Sequence, residues 1–291
     1  MHVPLDESLI AVALAAYTLG ALALLVYFFS RADWLRDVGI PLAMLGCLAQ
    51  FAQLIVRYES THVWPLLNLY GSLSLFAAMS VAIYIGFAFR YRLWFAGGFV
   101  LALAAIFLAY GVTWNEGTLP PVPSLQSYWA KIHVPIVVSS YAAFLVAFVF
   151  SSLYLVKYYA TARATVTATA GAEGAGGGSP VVVWLNALPS LAQLDVIVYR
   201  AVAIGLPLIS IGIITGAMWA KEAWGAYWQW DPKETAALFS WIIYLAYMHL
   251  HTRHAWRGLR TNWVSVIGFL SIIFCYLGVN IWISGLHSYK V

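Results

Sequence analysis

About eight long apolar runs dominate this chain of 291 residues and limit what it can fold into. A helix needs about 20 apolar residues to cross a hydrocarbon core of about 30 Å, and each run approaches that length. Backbone polar groups in lipid must be paired within the structure, and the runs are too continuous for barrel strands, so helices are expected. The predicted spans are residues 8–29, 39–56, 68–89, 93–112, 134–156, 196–218, 235–250 and 263–284. The sequence therefore predicts an all-α, polytopic transmembrane helix bundle, with residues 1–291 forming a single integral membrane domain.

The composition favours the same fold, because 63% of the residues are hydrophobic and only 9% are charged. Soluble domains carry about a quarter charged residues, so this much apolar surface needs lipid to cover it. We interpret the net charge of +4 as a signal for membrane orientation and not for nucleic acid. Cys47 and Cys275 lie inside apolar runs, and the sequence contains no Cys-x-x-Cys-His motif of a c-type cytochrome. Asp6 and Glu7 stand where a signal peptide is basic, so the first run is expected to be a permanent span.

The basic residues are divided unequally between the two predicted faces of the membrane. The ten on the first face are Arg31, Arg36, Arg90, Arg92, Lys157, Arg163, Arg200, Arg253, Arg257 and Arg260. The five on the second face are Arg57, Lys131, Lys221, Lys233 and Lys290. Basic residues favour the cytoplasmic side, so the first face is predicted to be cytoplasmic and both termini extracytoplasmic. Residues 160–180, rich in Ala, Gly and Thr, are predicted to be a flexible cytoplasmic linker.

Residues 219–234, which we call the Trp-rich segment, read WAKEAWGAYWQWDPKE and lie between the sixth and seventh predicted spans. Five aromatic residues fall within twelve positions: Trp219, Trp224, Tyr227, Trp228 and Trp230. One interpretation is an aromatic belt, since Trp and Tyr gather at membrane interfaces, although one or two such anchors per span end are enough. The other is a flat extracytoplasmic platform of rings for a planar ligand such as haem. A sugar or a quaternary ammonium ion also stacks on such rings.

Two positions are expected to set the backbone of this segment. Gly225 gives the chain freedom to turn the rings toward one surface. Pro232 fixes its own φ and holds Asp231 extended, which would end the platform and begin the next helix.

The histidines narrow the choice of ligand. His133 and His287 both lie at span ends on the same predicted face as the Trp-rich segment. Two imidazoles beside an aromatic platform can ligate one haem iron axially. His249 and His251 lie near the cytoplasmic end of the seventh predicted span, where ionisable groups are costly and mark functional sites. Because they are two residues apart on a helix, they face roughly opposite sides, and at most one can point into a shared site.

The stretch WGAYWQWDPKET at residues 224–235 resembles the tryptophan-rich WWD signature of the haem-handling proteins of cytochrome c biogenesis. CcmF and CcmC proteins share this signature, but the length, the span count and the Pro-Lys-Glu after the Asp are most similar to the CcsA (ResC) family. Further stretches also match that family: PLLNLYGSL at 65–73, IHVPIVVSSYAAF at 132–144, and LHTRHAWRG and GLHSY between 250 and 289. The resemblance runs from about residue 60 to the C-terminus, and WGAYWQWDPKET is its most specific part.

The resemblance implies a haem handling and delivery subunit of a System II cytochrome c synthase, of the haem lyase type. Such a subunit presents haem b on the extracytoplasmic side for thioether attachment to apocytochrome c. The resemblance further implies that His133 and His287 ligate iron on the outer side. His251 is implied to belong to an inner site whose other ligand comes from a CcsB-like (ResB) membrane subunit. The implied haem-binding residues are His133, His287, His251, Trp219, Trp224, Tyr227, Trp228, Trp230 and Asp231.

The resemblance also implies partners and a compartment. Besides the CcsB-like subunit, these are an apocytochrome c with a Cys-x-x-Cys-His motif and a thiol-reducing protein, at the bacterial cytoplasmic (inner) membrane. Lys221, Lys233 and Arg57 are candidate partners for the haem propionates, and a plain interfacial charge is the alternative for each. Gly71 stands where the family usually has Glu, so the family's charge at that position is missing here.

Two other functions stay open from the residues alone. A multi-span transporter of another planar or aromatic small molecule is expected to have paired half-helices or an internal repeat, and the sequence contains neither. A redox protein with buried b-type haems needs histidines on facing helices at matched depth. His251 has histidine neighbours at its depth only on its own segment.

Overall fold

A computed structural model describes residues 4–115, 123–169 and 188–283, without the side chains of residues 164–169. Long helices, labelled α1 to α8 in chain order, make up most of these ranges. They are α1 (Leu5–Ser30), α2 (Asp33–Thr61), α3 (Leu69–Tyr91), α4 (Gly97–Val112), α5 (Tyr128–Thr169), α6 (Leu191–Trp224), α7 (Pro232–His251) and α8 (Leu259–Trp282). Within the described ranges there is no β-strand, so the predicted all-α bundle is confirmed.

Seven helices in the described part of the chain are long and apolar enough to cross a membrane, and α7 is the long helix that falls short. It has 20 residues, begins with the charged Lys233 and Glu234, and carries His249 and His251 in its last turn. These polar ends lower its apolar character, while its middle occupies the predicted seventh span. The predicted count of about eight spans is thus matched by seven apolar helices and by α7.

Helix α5 forms the centre of the bundle. It packs on α3, α6 and α8, while α1 packs on α2 and α4, and both of these pack on α3. Glycines on α6 allow α5 to approach closely: a Cβ at Gly205 would overlap the Phe144 ring, and one at Gly212 would overlap Val137. Small residues at the contact are a common way for membrane helices to associate through backbone packing.

The helices alternate in direction, so the bundle has two ends, which we name after Trp219 and His251. At the Trp219 end, α5 begins, α6 ends and α7 begins. The indole Nε1 of Trp219 donates to the carbonyl oxygen of Ser124 over 2.7 Å. The Ser127 hydroxyl donates to the carboxylate of Glu222, also over 2.7 Å. These bonds fix the start of α5 against the last turns of α6.

At the His251 end, α5 is longer than the sequence predicted. Residues 160–180 were expected to form a linker, but the helix continues to Thr169, and the rest of that segment lies outside the described residues. Alanines in the helical part favour this continuation, because alanine has the highest helix propensity. The Lys157 ammonium donates to the carbonyls of Leu188 and Pro189 over 2.9 and 2.8 Å, which joins α5 to the chain entering α6.

Candidate functional site

The Trp-rich segment consists of the end of α6 and a short loop leading into α7. Helix α6 ends at Trp224, and Gly225 follows with a φ of 87° while its N–H donates to the carbonyl of Lys221 over 3.1 Å. Glycine adopts this left-handed conformation without strain, so the predicted freedom of Gly225 is used to leave the helix. Near the end of the loop, Trp230 also has a positive φ, of 57°.

Asp231 is the N-cap of α7. Its carboxylate accepts a hydrogen bond from the backbone N–H of Lys233 over 3.0 Å, and the Glu234 carboxylate accepts from the N–H of Asp231 over 3.2 Å. The two bonds form a reciprocal capping box between Asp231 and Glu234. Pro232, the first residue of the helix, lies between these two residues. The prediction that Pro232 holds Asp231 extended and begins the next helix is confirmed. The carboxylate of Asp231 therefore has a structural partner within its own turn.

A cavity of about 970 Å³, part of it open to solvent, lies at the Trp219 end and is lined mainly by α5, α6, α7 and α8. Four of the predicted site residues line it: His133, Trp219, Tyr227 and Trp228. Three others near the same end do not line it: Trp224, Trp230 and Asp231. We call this space the His133 cavity.

The rings of the Trp-rich segment form two pairs and not one flat platform. Trp219 is 6% exposed and stacks on the His133 imidazole, with ring centroids 5.8 Å apart and planes at 29°. Trp224 meets Trp219 edge-on at 5.1 Å. In the loop, Trp228 and Trp230 meet edge-on at 5.7 Å, and Trp230 is 68% exposed. Trp219 and Trp228 reach the cavity. Trp224 packs behind Trp219, and Trp230 faces out of the bundle.

Helix α6 holds His133 in one orientation. Its Nδ1 atom lies 2.8 Å from the carbonyl oxygen of Gly212. A carbonyl can only accept, so Nδ1 carries the hydrogen, and in the neutral imidazole the lone pair is on Nε2. Gly216 provides the space, since a Cβ there would lie 2.8 Å from Cε1 of the imidazole. A ring nitrogen that donates to a backbone carbonyl is the usual arrangement of a histidine that ligates a metal through its other nitrogen.

Three residues that line the cavity were not predicted as site residues: Tyr141, Cys275 and Tyr276. The Tyr141 hydroxyl lies 3.8 Å from Sγ of Cys275, and the Tyr276 hydroxyl donates to Ser72 Oγ over 2.9 Å. The two α8 residues belong to a π-helical turn at Phe274–Gly278, which changes the direction of the side chains along the helix. Such turns are frequent at functional sites.

Of the three cations predicted near this site, Lys233 lines the cavity. Its ammonium donates to Oδ1 of Asn280 over 2.8 Å. Lys221 donates to a backbone carbonyl in the loop, and Arg57 forms a salt bridge of 3.1 Å with Asp6. Neither of these two lines the His133 cavity.

His251 is buried at the opposite end of the bundle, 6% exposed. Its Nε2 atom lies 2.9 Å from Oδ2 of Asp195, whose Oδ1 accepts a hydrogen bond from Asn262 over 2.9 Å. Its ring stacks on Tyr199 and Tyr247, with centroids 4.6 and 5.7 Å away. This buried network joins α6, α7 and α8. Neither Asp195 nor Asn262 was predicted as a site residue.

His249 and His287 are the two remaining histidines that the sequence placed near a site. His249 is exposed whereas His251 is buried, so the prediction that they face opposite sides of α7 is confirmed. His287 lies outside the described residues, which end at Ile283 in this part of the chain.

Comparison with known sequences identifies the family. The sequence model of the cytochrome C assembly protein family matches residues 66–287. The cytochrome c biogenesis protein CcsA of Chlamydomonas reinhardtii is 33% identical, covering 88% of this chain and 69% of that protein. CcsA of Gloeobacter violaceus is 32% identical over 99% of this chain and 96% of that protein. The chain therefore belongs to the cytochrome c assembly protein family.

A solved structure has a similar fold. The cytochrome c haem lyase CcmF superimposes with a TM-score of 0.66 over 95% of this chain, at 16% sequence identity. This chain spans about half of that protein, 47% of its length. Together, the helix bundle and the family define an integral membrane protein of cytochrome c biogenesis.

Proposed function

We propose that this chain binds haem in the His133 cavity and presents it for thioether attachment to an apocytochrome c. The observation that carries the proposal is the His133 imidazole, which lines the cavity and has its Nδ1 atom bonded to the Gly212 carbonyl. That bond selects the tautomer with the lone pair on Nε2, and haem iron takes such a nitrogen as an axial ligand. The related fold of CcmF, whose name is that of a cytochrome c haem lyase, supports the same cargo.

The lining of the cavity suits a flat, mostly apolar ring with a few polar edges. Trp219, Tyr227 and Trp228 offer aromatic faces, and the remaining walls are largely aliphatic. Lys233, whose ammonium is bonded to Asn280, offers a cation to a propionate. The donor set of the cavity therefore fits haem b as its cargo.

The contacts of His133 and Trp219 define the role that each has in binding haem. His133 holds the iron, α6 keeps the imidazole in one tautomer, and Trp219 prevents the imidazole from turning away. Haem itself supplies the vinyl groups to which the thiols of a Cys-x-x-Cys-His motif add. The chain supplies orientation and control of access.

His287 is proposed as the second axial ligand. It lies four residues beyond Ile283, and four extended residues span at most roughly 14 Å. Near the end of α8, Asn280 is bonded to the cavity residue Lys233. The chain thus leaves α8 within reach of the cavity.

We also propose an inner haem site, to which this chain contributes His251 as one iron ligand. The Nε2 atom is held by Asp195 at 2.9 Å, so ligation through Nε2 requires that this bond break first. In the present arrangement, Nδ1 is the nitrogen left for iron. The second ligand of that site is assigned to a CcsB-like subunit.

The sidedness and partners belong to the same proposal. The His133 cavity lies at the Trp219 end, which carries fewer basic residues and is assigned to the extracytoplasmic side of a bacterial inner membrane. Both termini are assigned to that side. An apocytochrome c and a thiol-reducing protein would approach the cavity there.

Gly216→Ala is expected to weaken haem binding by about 10- to 100-fold without disturbing the bundle. The added methyl carbon would lie 2.8 Å from Cε1 and 3.0 Å from Nδ1 of His133, so the imidazole must move off Gly212. Haem titration of the purified protein measures the effect. Gly86→Ala is the matched control, because a Cβ there meets nothing within 4 Å. Equal affinities for the two variants would show that the position of His133 is irrelevant to haem.

Trp228→Ala tests the aromatic part of the proposal. Loss of one stacked ring is expected to weaken haem binding by roughly two- to tenfold, and to lower the yield of mature cytochrome c when a CcsB-like subunit is co-expressed. Soret absorbance per chain and haem-stained cytochrome c are the two readouts. Trp34→Ala, at the other end of the bundle and 65% exposed in this structure, should leave both unchanged. A purified wild-type chain that never takes up haem would end the proposal.

A further inference from the structure

A second cavity, of about 1380 Å³ and partly open to solvent, lies at the His251 end, between the ends of α1 and α3 and the start of α6. Four arginines line it: Arg31, Arg90, Arg92 and Arg200. The described residues of its lining include no Asp, Glu, His, Cys or Met. We call it the arginine cleft.

The four guanidinium groups have no acidic partner in the described ranges of the chain. The salt bridges found there use Arg36, Arg57 and His251 as the basic partners. Nη2 of Arg31 is buried and has no hydrogen-bond partner among the described residues. A buried donor without an acceptor is costly, so this atom is expected to bond to something that enters the cleft.

The backbone and a neighbouring ring hold the arginines around the cleft. Arg31 and Arg92 end α1 and α3 in the left-handed conformation, with φ of 57° and 55°. The guanidinium groups of Arg90 and Arg200 lie 5.2 and 4.8 Å from the centre of the Tyr91 ring. The charges therefore converge from three helices.

The start of α6 adds to the positive potential of the cleft. Ala192 and Gln193, in the first turn of this 34-residue helix, line the cleft, and helix N-termini favour anions. Apolar and aromatic residues make up the remaining wall, among them Tyr27, Phe95 and Ile197. A cluster of cations beside an apolar wall matches an amphiphile that has an anionic head and a hydrocarbon body.

We propose that the arginine cleft binds the phosphate of an anionic phospholipid, with the acyl chains lying along the apolar wall. Arginine presents two parallel N–H groups to a phosphate, and basic pockets between membrane helices on the cytoplasmic side are suited to lipid head groups. Haem is a poorer match, because the lining, as far as the structure describes it, offers no His, Cys or Met for iron. A free phosphate would leave the apolar wall without a partner. The proposal stands independently of the haem site.

The test measures lipid selectivity of the full chain. The protein is reconstituted in vesicles of phosphatidylcholine with an equal amount of phosphatidylglycerol, extracted gently, and its retained lipids are counted by native mass spectrometry. The wild type is expected to retain phosphatidylglycerol preferentially. Each substitution in the pair Arg90→Gln and Arg200→Gln should reduce this preference roughly fivefold.

Arg36→Gln is the matched control, because Arg36 lies at the same end of the bundle and is paired with Asp33 and Asp37 outside the cleft. It should keep the wild-type preference. An equal loss in this variant, or wild-type retention of phosphatidylcholine as strong as that of phosphatidylglycerol, would overturn the proposal. Displacement of the lipid by inorganic phosphate or by haem would overturn the lipid assignment. Failure of both to displace it supports the assignment.

Discussion

Replacement of His133 by alanine is expected to reduce the haem content of the purified chain by at least roughly 100-fold. Changing a residue that only orients a metal ligand already costs about 10- to 100-fold, and His133 is proposed as the ligand itself. Its imidazole is fixed by the Gly212 carbonyl at 2.8 Å and by the Trp219 ring, so its Nε2 atom is held in one position. Soret absorbance per chain gives the haem content, and haem-stained cytochrome c gives maturation, which is expected to stop.

Two further variants separate loss of a ligand from loss of structure. His249→Ala removes an exposed imidazole at the other end of the bundle, and it should keep wild-type haem content. His133→Gly leaves a hole in which added imidazole can bind, so free imidazole should restore part of the absorbance. If His133→Ala keeps the full Soret absorbance and full maturation, the ligand assignment is wrong.

Asp195→Ala is expected to lower the free energy of unfolding by about 3 kcal/mol or more. The carboxylate is buried and accepts from Asn262 over 2.9 Å while lying 2.9 Å from Nε2 of His251. Hydrogen bonds to a buried charge are worth about 1.5–3 kcal/mol each, and the Asp195 carboxylate takes part in two of them. Unfolding by sodium dodecyl sulfate in mixed micelles, followed by circular dichroism, measures the change.

Asp33→Ala is the control for this prediction. Asp33 forms an ion pair of 2.9 Å with Arg36 at the same end of the bundle, but its side chain is 71% exposed. An exposed pair contributes little, so almost no change in unfolding is expected. Equal unfolding of the Asp195 and Asp33 variants would show that the buried network does not hold α6, α7 and α8 together. Nε2 of His251 would then be available to an inner haem without breaking a strong bond.

The helices were predictable because bilayer thickness sets a length that apolar runs must match. Even α7, with Lys233 and Glu234 at its start, was located from its apolar middle. The end of α5 was predicted less well. Composition at residues 160–180 indicated a linker, but the local helix propensity of alanine carries α5 on to Thr169.

The neighbourhood of His133 and Trp219 was predictable in part. Counting spans puts both residues at the same end of the bundle, and their rings do stack. The spacing could also have indicated Tyr141, which lies two helical turns after His133 on α5. Which tryptophans line the cavity was not predictable, because α6 continues to Trp224 and its packing on α5 sets the direction of each ring.

Other parts of the sites depend on features that sequence patterns do not contain. The π-helical turn in α8 brings Cys275 and Tyr276 to the cavity, and an apolar run gives no sign of it. Asp195 lies 56 residues from His251 and 67 residues from Asn262, so only the packing of three helices brings them together.

An experimental density map of the haem-loaded protein tests directly whether His133 holds the haem iron in the cavity. We expect porphyrin density in the His133 cavity at the Trp219 end, with the iron bonded to Nε2 of His133 at about the 2 Å of a metal–imidazole bond. Porphyrin density elsewhere in the bundle, or an iron ligated without His133, would contradict it.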